Sequence, residues 1–416
     1  MSPVTQITAR AFGYRSPQML PDGRHFLCFA GGADAGIHLG QLGEPTTRKI
    51  LDATAAVYSP TGHLLFVRQG NLFSQPFDVT RLEVIGAPTL IAQNIVPGAM
   101  DGVAALAVSA ARPIVYRTGG AGPLRQLMWV DRTGKQLDIL SRIDRMDGIG
   151  TSLSADDAYV AWTRGPANIW LFELARGVST RFTFEPSVDL SPVWAPEGRR
   201  IVYSAYNDSD FDLFMKSATG SSPGERLLRA PGAQQADDWS PDGQVVLYTN
   251  VSKGRENMSP SEIWALPLDG NRTPFPVVRT AGVAANAEFS PTGEWVAFQL
   301  NESNRFEVYV QPFPHGDKVR ISTDGGVQPR WRADGKELFY IDADNRLIAV
   351  PVDLESVKTP KVGSPVPLFT PFSSLVPHHP SIKNYSVSRD GRRFLVDVLR
   401  ETTSPVTVLL NWQPEG

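Results

Sequence analysis

Nine times along this chain a tight turn runs into an unbroken stretch of apolar, β-prone residues, and no other feature narrows the possible folds as much. In "WSPDGQVVLY", Trp239–Tyr248, Ser240 opens a type I turn, Pro241 fixes φ at the second position, Asp242 is tolerated at the third and Gly243 closes it. Val245, Val246, Leu247 and Tyr248 then follow without a break, whereas a strand with one wet face would alternate. Both faces of this strand are therefore expected to be buried.

Relatives of the phrase are "LPDGRHFLCF", "SPTGHLLFV", "SAARPIVYR", "SADDAYVAW", "APEGRRIVY", "SPTGEWVAF", "RADGKELFY" and "SRDGRRFLV". The glycine of the turn, or the residue standing in its place, falls at 23, 62, 112, 157, 198, 243, 293, 335 and 391, a mean spacing of about 46 residues. A later apolar strand in each unit, from "GIHLGQL" to "VTVLLNW", gives the same count of nine. A period of about 40 to 50 residues built from short strands and turns predicts an all-β fold, a β-propeller of four-stranded blades. The expectation is one propeller domain over residues 1–416 with nine blades, or eight if the degenerate third unit is no true blade. The last unit runs out one strand short and "VTQITAR", Val4–Arg10, belongs to no complete blade, so the N-terminal strand is expected to complete the final blade and remove the open edges. Trp194, Trp239, Phe289 and Trp331, each just before its turn, are read as packing between blades.

Composition excludes several classes. Forty Lys and Arg against 43 Asp and Glu leave a net charge of −3, so no global field favours nucleic acid or an anionic membrane. The lone Cys28 in "HFLCFA" rules out an internal disulfide and reads as a small buried hydrophobe. No stretch approaches the ~20 apolar residues that span a bilayer, and the first residues lack a signal-peptide core, so a soluble chain without membrane insertion is expected.

The phrases "SPVWAPEGRRIVY", "WSPDGQVVLY" and "FSPTGEWVAF" resemble the TolB-like, WD40-like PD40 propeller repeat. With "GIGTSLSADDAYVAW", "NIWLFELARGVSTRFTF", "VRISTDGGVQPRWRADGKELFYID" and "SPVTVLLNW", the series looks like the C-terminal propeller attached to bacterial, especially acidobacterial, serine/threonine protein kinases. The resemblance implies an extracytoplasmic sensor or interaction module, periplasmic or at the cell surface. The chain itself carries no kinase glycine loop, H-R-D loop or D-F-G, which excludes phosphoryl transfer by these residues.

Other chemical signals are weak. "GSSPG", Gly220–Gly224, matches G-x-S-x-G, but the residue after Ser222 is Pro223, which has no N–H for an oxyanion. His378 and His379 are adjacent, and neighbours on an extended strand point to opposite sides; "NDSDFD", Asn207–Asp212, lacks the spacing and glycine of a calcium loop. No catalytic residue, metal or cofactor is assigned. Polar residues expected just ahead of the channel-lining strands, Asp189, Asp237, Asp238, Asn286, Gln328, Arg330 and Asn384, form a candidate ligand rim at one mouth of the channel. Solvation of that rim and hydrogen bonds between loops account for the same residues. The reading is a monomeric, non-catalytic binding propeller for a protein, peptide or glycan ligand, with a propeller hydrolase holding a channel metal and a structural or oligomerisation domain as alternatives.

Overall fold

The computed structural model describes residues 11–32, 34–96, 104–109, 113–118, 124–140, 144–145, 150–164, 168–185, 187–207, 210–219, 222–252, 259–302, 305–354, 360–370, 383–400, 405–410 and 412. Every helix-or-strand element among them is a strand. The repeated turn forms as its residues dictate. Gly243 N–H donates to Ser240 C=O at 2.8 Å and takes a φ of 77°, while the Ser240 hydroxyl accepts from the N–H of Val245 at 2.9 Å. Asp157 fills the glycine position of its own turn at a φ of 55°.

The chain divides into two compact units, one made of Met1–Leu124 with Glu401–Gly416 and the other of Arg125–Arg400. In the second unit five antiparallel sheets are each built from consecutive strands. Their innermost strands are Thr151–Leu153, Asp189–Trp194, Ala233–Trp239, Val283–Phe289 and Val327–Trp331. The sixth sheet is a hybrid: Tyr385–Val387 and Arg393–Arg400 pair with Leu124–Asp131 and Gln136–Ile139 from the other end of the unit.

Alternate residues of the hybrid strands face opposite ways, and both faces are covered. Met128, Val130 and Phe394 pack on Phe339 and Ile341 of the sheet that begins at Val327. Leu127, Trp129 and Leu395 pack on Val160 and Trp162 of the sheet that begins at Thr151. Six sheets thus share six buried apolar interfaces, which is the condition for a closed ring. Trp194, Trp239, Phe289 and Trp331 each sit in the interface with the preceding sheet, as expected.

The first unit holds three sheets and two such interfaces among the described residues. Its sheets begin at Ala11, Ala55 and Leu106, and the third is completed by Val406–Leu409 pairing with Ile114–Arg117.

These pairings differ from those expected of one ring of nine, or eight, blades over residues 1–416. The third and ninth repeats exchange strands: "VTVLLNW" adds to the third repeat's sheet, and "QLMWVD" adds to the ninth repeat's. The free edge of Arg393–Arg400 is satisfied by Leu124–Asp131, so the ring closes around repeats four to eight and the hybrid. Val4–Arg10, the expected clasp, lies outside the described residues.

The exchanged pairing is directly testable. Val115 and Val408 are cross-strand partners, and Cys28 is buried. Val115→Cys combined with Val408→Cys is expected to form a disulfide on mild oxidation, visible as a gel shift; two alkylatable thiols that never cross-link would contradict the register. Phe394→Ala, at a fully buried site against Phe339 and Phe369, is expected to cost about 3–5 kcal/mol in denaturant unfolding.

Candidate ligand-binding channel

The six innermost strands of the second unit neighbour one another in sequence, and the last meets the first: Thr151 N–H donates to Lys383 C=O at 3.1 Å. Four of these strands carry a bulge at the same place. Register shifts fall between Leu190 and Val193, Ala236 and Asp238, Ala285 and Glu288, and Val327 and Arg330. Within three of them Ser191, Asn286 and Gln328 take φ values of 52°, 53° and 56°. A bulge kinks the strand and re-aims the side chains beside it.

All seven rim candidates belong to this unit and lie on or beside its innermost strands. Six of them, Asp189, Asp237, Asn286, Gln328, Arg330 and Asn384, are buried, and Asp238 is partly buried. Three serve mainly to join strands. Asn286 Nδ2 donates to Gln299 Oε1 at 3.0 Å, Gln328 N–H donates to the same oxygen at 2.9 Å, and Asn384 N–H donates to Gln328 Oε1 at 2.9 Å. Asp189 accepts from Ser187 Oγ at 2.7 Å, and burial raises its pKa.

The other three, Asp237, Asp238 and Arg330, converge with Glu288 and Lys383 on a cavity of about 140 Å³, whose wall is completed by Thr151, Ser152 and Ser386 among others. Arg330 Nη1 donates to Glu288 Oε2 at 2.9 Å and to Pro329 C=O at 2.7 Å, and its Nη2 is buried without a partner. Glu288 Oε1 accepts from Trp331 N–H at 3.1 Å, and Asp238 Oδ2 accepts from Phe289 N–H at 2.8 Å, so each carboxylate also fastens the next sheet. Thr249 Oγ1 donates to Asp237 Oδ2 at 2.6 Å, and buried Lys383 donates to the Asp237 main-chain oxygen.

Burial pushes Asp237 up to about 6, against the pull of Lys383. Burial and the neighbouring Glu288 carboxylate push Asp238 up to about 7. Burial, followed by the Arg330 charge, lowers the Lys383 pKa. Three carboxylates and two cations around so small a space make an environment that changes charge near neutrality.

Above the cavity a funnel of about 540 Å³ shares Ser152, Asp238, Glu288 and Trp331 with it. Its wall is made by the repeated turns, including Ala155, Pro196, Pro241, Pro291, Ala333 and Arg389. The turns lie against each other, with Gly293 beside Pro241 and Gly335 beside Pro291, so the repeated phrase forms the lip of the channel. Asp157 closes the circle by accepting from Arg389 N–H at 3.1 Å.

Glu288 and Lys383 were absent from the sequence reading. Glu288 stands immediately before Phe289, as Asp238 stands before Trp239 and Arg330 before Trp331, and aligning the repeats on that aromatic position would have found it. Lys383 precedes a strand whose aromatic position is Val387, which hides its alignment.

The remaining candidates are separate. Ser222 is exposed and followed by the strand Glu225–Leu228 where a nucleophile elbow requires a helix. His378 and His379 lie outside the described residues, as do Asp208 and Ser209 of the acidic segment. Among the described residues no three His, Cys, Asp or Glu side chains are grouped to hold a metal, and no helix is long and apolar enough to cross a membrane.

Radial antiparallel sheets around a central channel, closed by a hybrid blade, define a β-propeller. Comparison with known proteins agrees. A solved structure from Agrobacterium tumefaciens described as TolB superposes with a TM-score of 0.53 at 14% identity, covering 68% of this chain and 100% of that one. The chain is 30% identical over 111 residues to the Tol-Pal system protein TolB of Alcanivorax borkumensis, which covers 26% of this chain and 25% of that protein. It is 27% identical over 164 residues to an uncharacterized protein of Agrobacterium fabrum, covering 36% of this chain and 53% of the relative. The chain thus spans about half of one of these curated relatives and a quarter of the other. No family model matches it. The resemblance to TolB-like β-propellers stands on sequence and on fold.

The raised carboxylates set a pH dependence with a definite sign. Asp237 and Asp238 bind a proton more tightly folded than unfolded, so their contribution to stability is largest at acid pH and is lost as pH rises through about 6 to 7. Thermal melts are expected to fall by several degrees between pH 5.5 and 8, and Asp238→Asn is expected to flatten that slope. A wild-type melting temperature that climbs over this interval would contradict the assignment.

Proposed function

We propose that the second unit is a non-catalytic binding propeller whose ligand, a protein or peptide segment, enters the turn-lined funnel and reaches the charged cavity at its floor. The observation that carries this reading is the convergence of Arg330, Lys383, Asp237, Asp238 and Glu288 on a small cavity beneath a wider opening. A buried group of ions is a poor device for stability, since desolvation opposes the attraction between its members, and recognition is the more natural use. The similarity to TolB-like propellers supports a binding role over a catalytic one. The phrases resembling kinase-attached propellers support an extracytoplasmic placement, with this chain as the sensing part of a receptor and acting as a monomer.

A displayed peptide library selected on the full chain tests the face. Ala155 and Ala333 line the funnel and are exposed, so Ala155→Arg with Ala333→Arg narrows the opening without touching the core. Selected ligands are expected to lose more than about tenfold in affinity for that variant. Ligands that bind it as tightly as wild type would place recognition elsewhere.

A further inference from the structure

We propose that the cavity at the funnel floor is a carboxylate receptor, in which the guanidinium of Arg330 and the ammonium of Lys383 hold the free carboxylate of a peptide C-terminus or of a small organic acid. This deepens the binding reading above and rests on it for delivery through the funnel.

Hydrogen-bonding capacity is unevenly used around the cavity. On the acid side, both oxygens of Glu288 are engaged, by Trp331 N–H and by Arg330 Nη1, and Asp238 Oδ2 and Asp237 Oδ2 accept from Phe289 N–H and Thr249 Oγ1. On the basic side, Arg330 is only 9% exposed at its side chain, yet its Nη2 donates to nothing. A guanidinium nitrogen buried without an acceptor is costly, and a planar carboxylate is the group its geometry fits best. Lys383 reaches the same cavity from the neighbouring sheet. At about 140 Å³ the space suits one carboxylate with its adjoining carbon and a few waters, and excludes a bulky side chain.

Charge balance adds a coupling. With every group ionised, Asp237, Asp238 and Glu288 outnumber Arg330 and Lys383 by one, and a second excess anion is unfavourable there. The charged groups on the funnel wall above Asp238 are Asp157, Arg332 and Arg389. Asp157 and Arg389 are joined turn to turn, and Arg332 is paired with Asp334 and Glu337. The group positioned to take up the compensating proton, and so to hold the excess at one negative charge, is Asp238, whose pKa is already raised by burial and by Glu288. Entry of a carboxylate therefore carries one proton onto Asp238.

The test uses the full chain and three probes: N-acetyl-trialanine with a free carboxylate, its C-terminal amide, and sodium acetate. Titration followed by NMR or calorimetry is expected to show the free acid binding at least about tenfold tighter than the amide. Its affinity should fall by close to tenfold per pH unit above pH 7, the slope of one coupled proton. Arg330→Gln and Lys383→Met should each abolish the preference for the free acid. Acetate competing with the peptide identifies a small acid as a sufficient ligand, whereas peptide binding that acetate does not displace identifies the C-terminus. The proposal is overturned if neither carboxylate binds, if the amide binds as well as the acid, or if affinity rises with pH. Should Arg330→Gln fail to fold, the acid-to-amide ratio and the pH slope on wild type still decide. Library-selected ligands that need the open funnel but ignore amidation would sink this proposal and leave the funnel reading standing; acid binding unaffected by Ala155→Arg with Ala333→Arg would do the reverse.

Discussion

The free edge of Arg393–Arg400 has to be paired, and the choice of partner determines the architecture. A strand edge left bare exposes a row of unmet backbone donors and acceptors, so some strand must cover it. Here the cover is Leu124–Asp131, whose residues Leu127, Met128, Trp129 and Val130 alternate between two interfaces and seal both. Five intact repeats and one hybrid make the ring, and two intact repeats and the second hybrid make the other unit. Had each repeat kept its own strands, the same nine sheets would have had no reason to divide.

The interior of the ring is unusual in being polar. Asn286, Gln299, Gln328 and Asn384 link successive sheets by hydrogen bonds, while Asn286 Oδ1 and Asn384 Nδ2 stay without partners. Bulges make that possible, because a straight strand would aim the same residues into the apolar interfaces. Deeper charge is a different matter. Arg330, Glu288 and Asp238 are joined to neighbouring sheets, Asp237 is held within its own, Lys383 reaches across the ring to the Asp237 main chain, and one guanidinium nitrogen of Arg330 still has no acceptor. An apolar plug would be more stable, so the arrangement is better understood as recognition than as scaffolding.

Much of the fold was legible because its causes are local. The serine, proline and glycine of the turn act within five residues, and unbroken apolar strands announce sheets covered on both faces. The packing role of Trp239 and its equivalents followed from the same periodicity. Pairing between distant repeats is not local. Its traces were the missing glycine in "SAARPIVYR" and the long interval before residue 391, and neither states which edge is free. The seven polar candidates were legible as residues near the channel-lining strands, but their depth was not, because a left-handed φ at Asn286 or Gln328 cannot be read from residue type. Glu288 escaped for want of aligning each repeat on its aromatic position.

The exchange of strands also orders events during synthesis. The second unit is continuous, and all its strands exist once residue 400 has been made, whereas the third sheet of the first unit stays a bare hairpin of Leu106–Val108 and Ile114–Arg117 until Val406–Leu409 follows. The strand that completes the first unit's third sheet is therefore made only after every strand of the second unit.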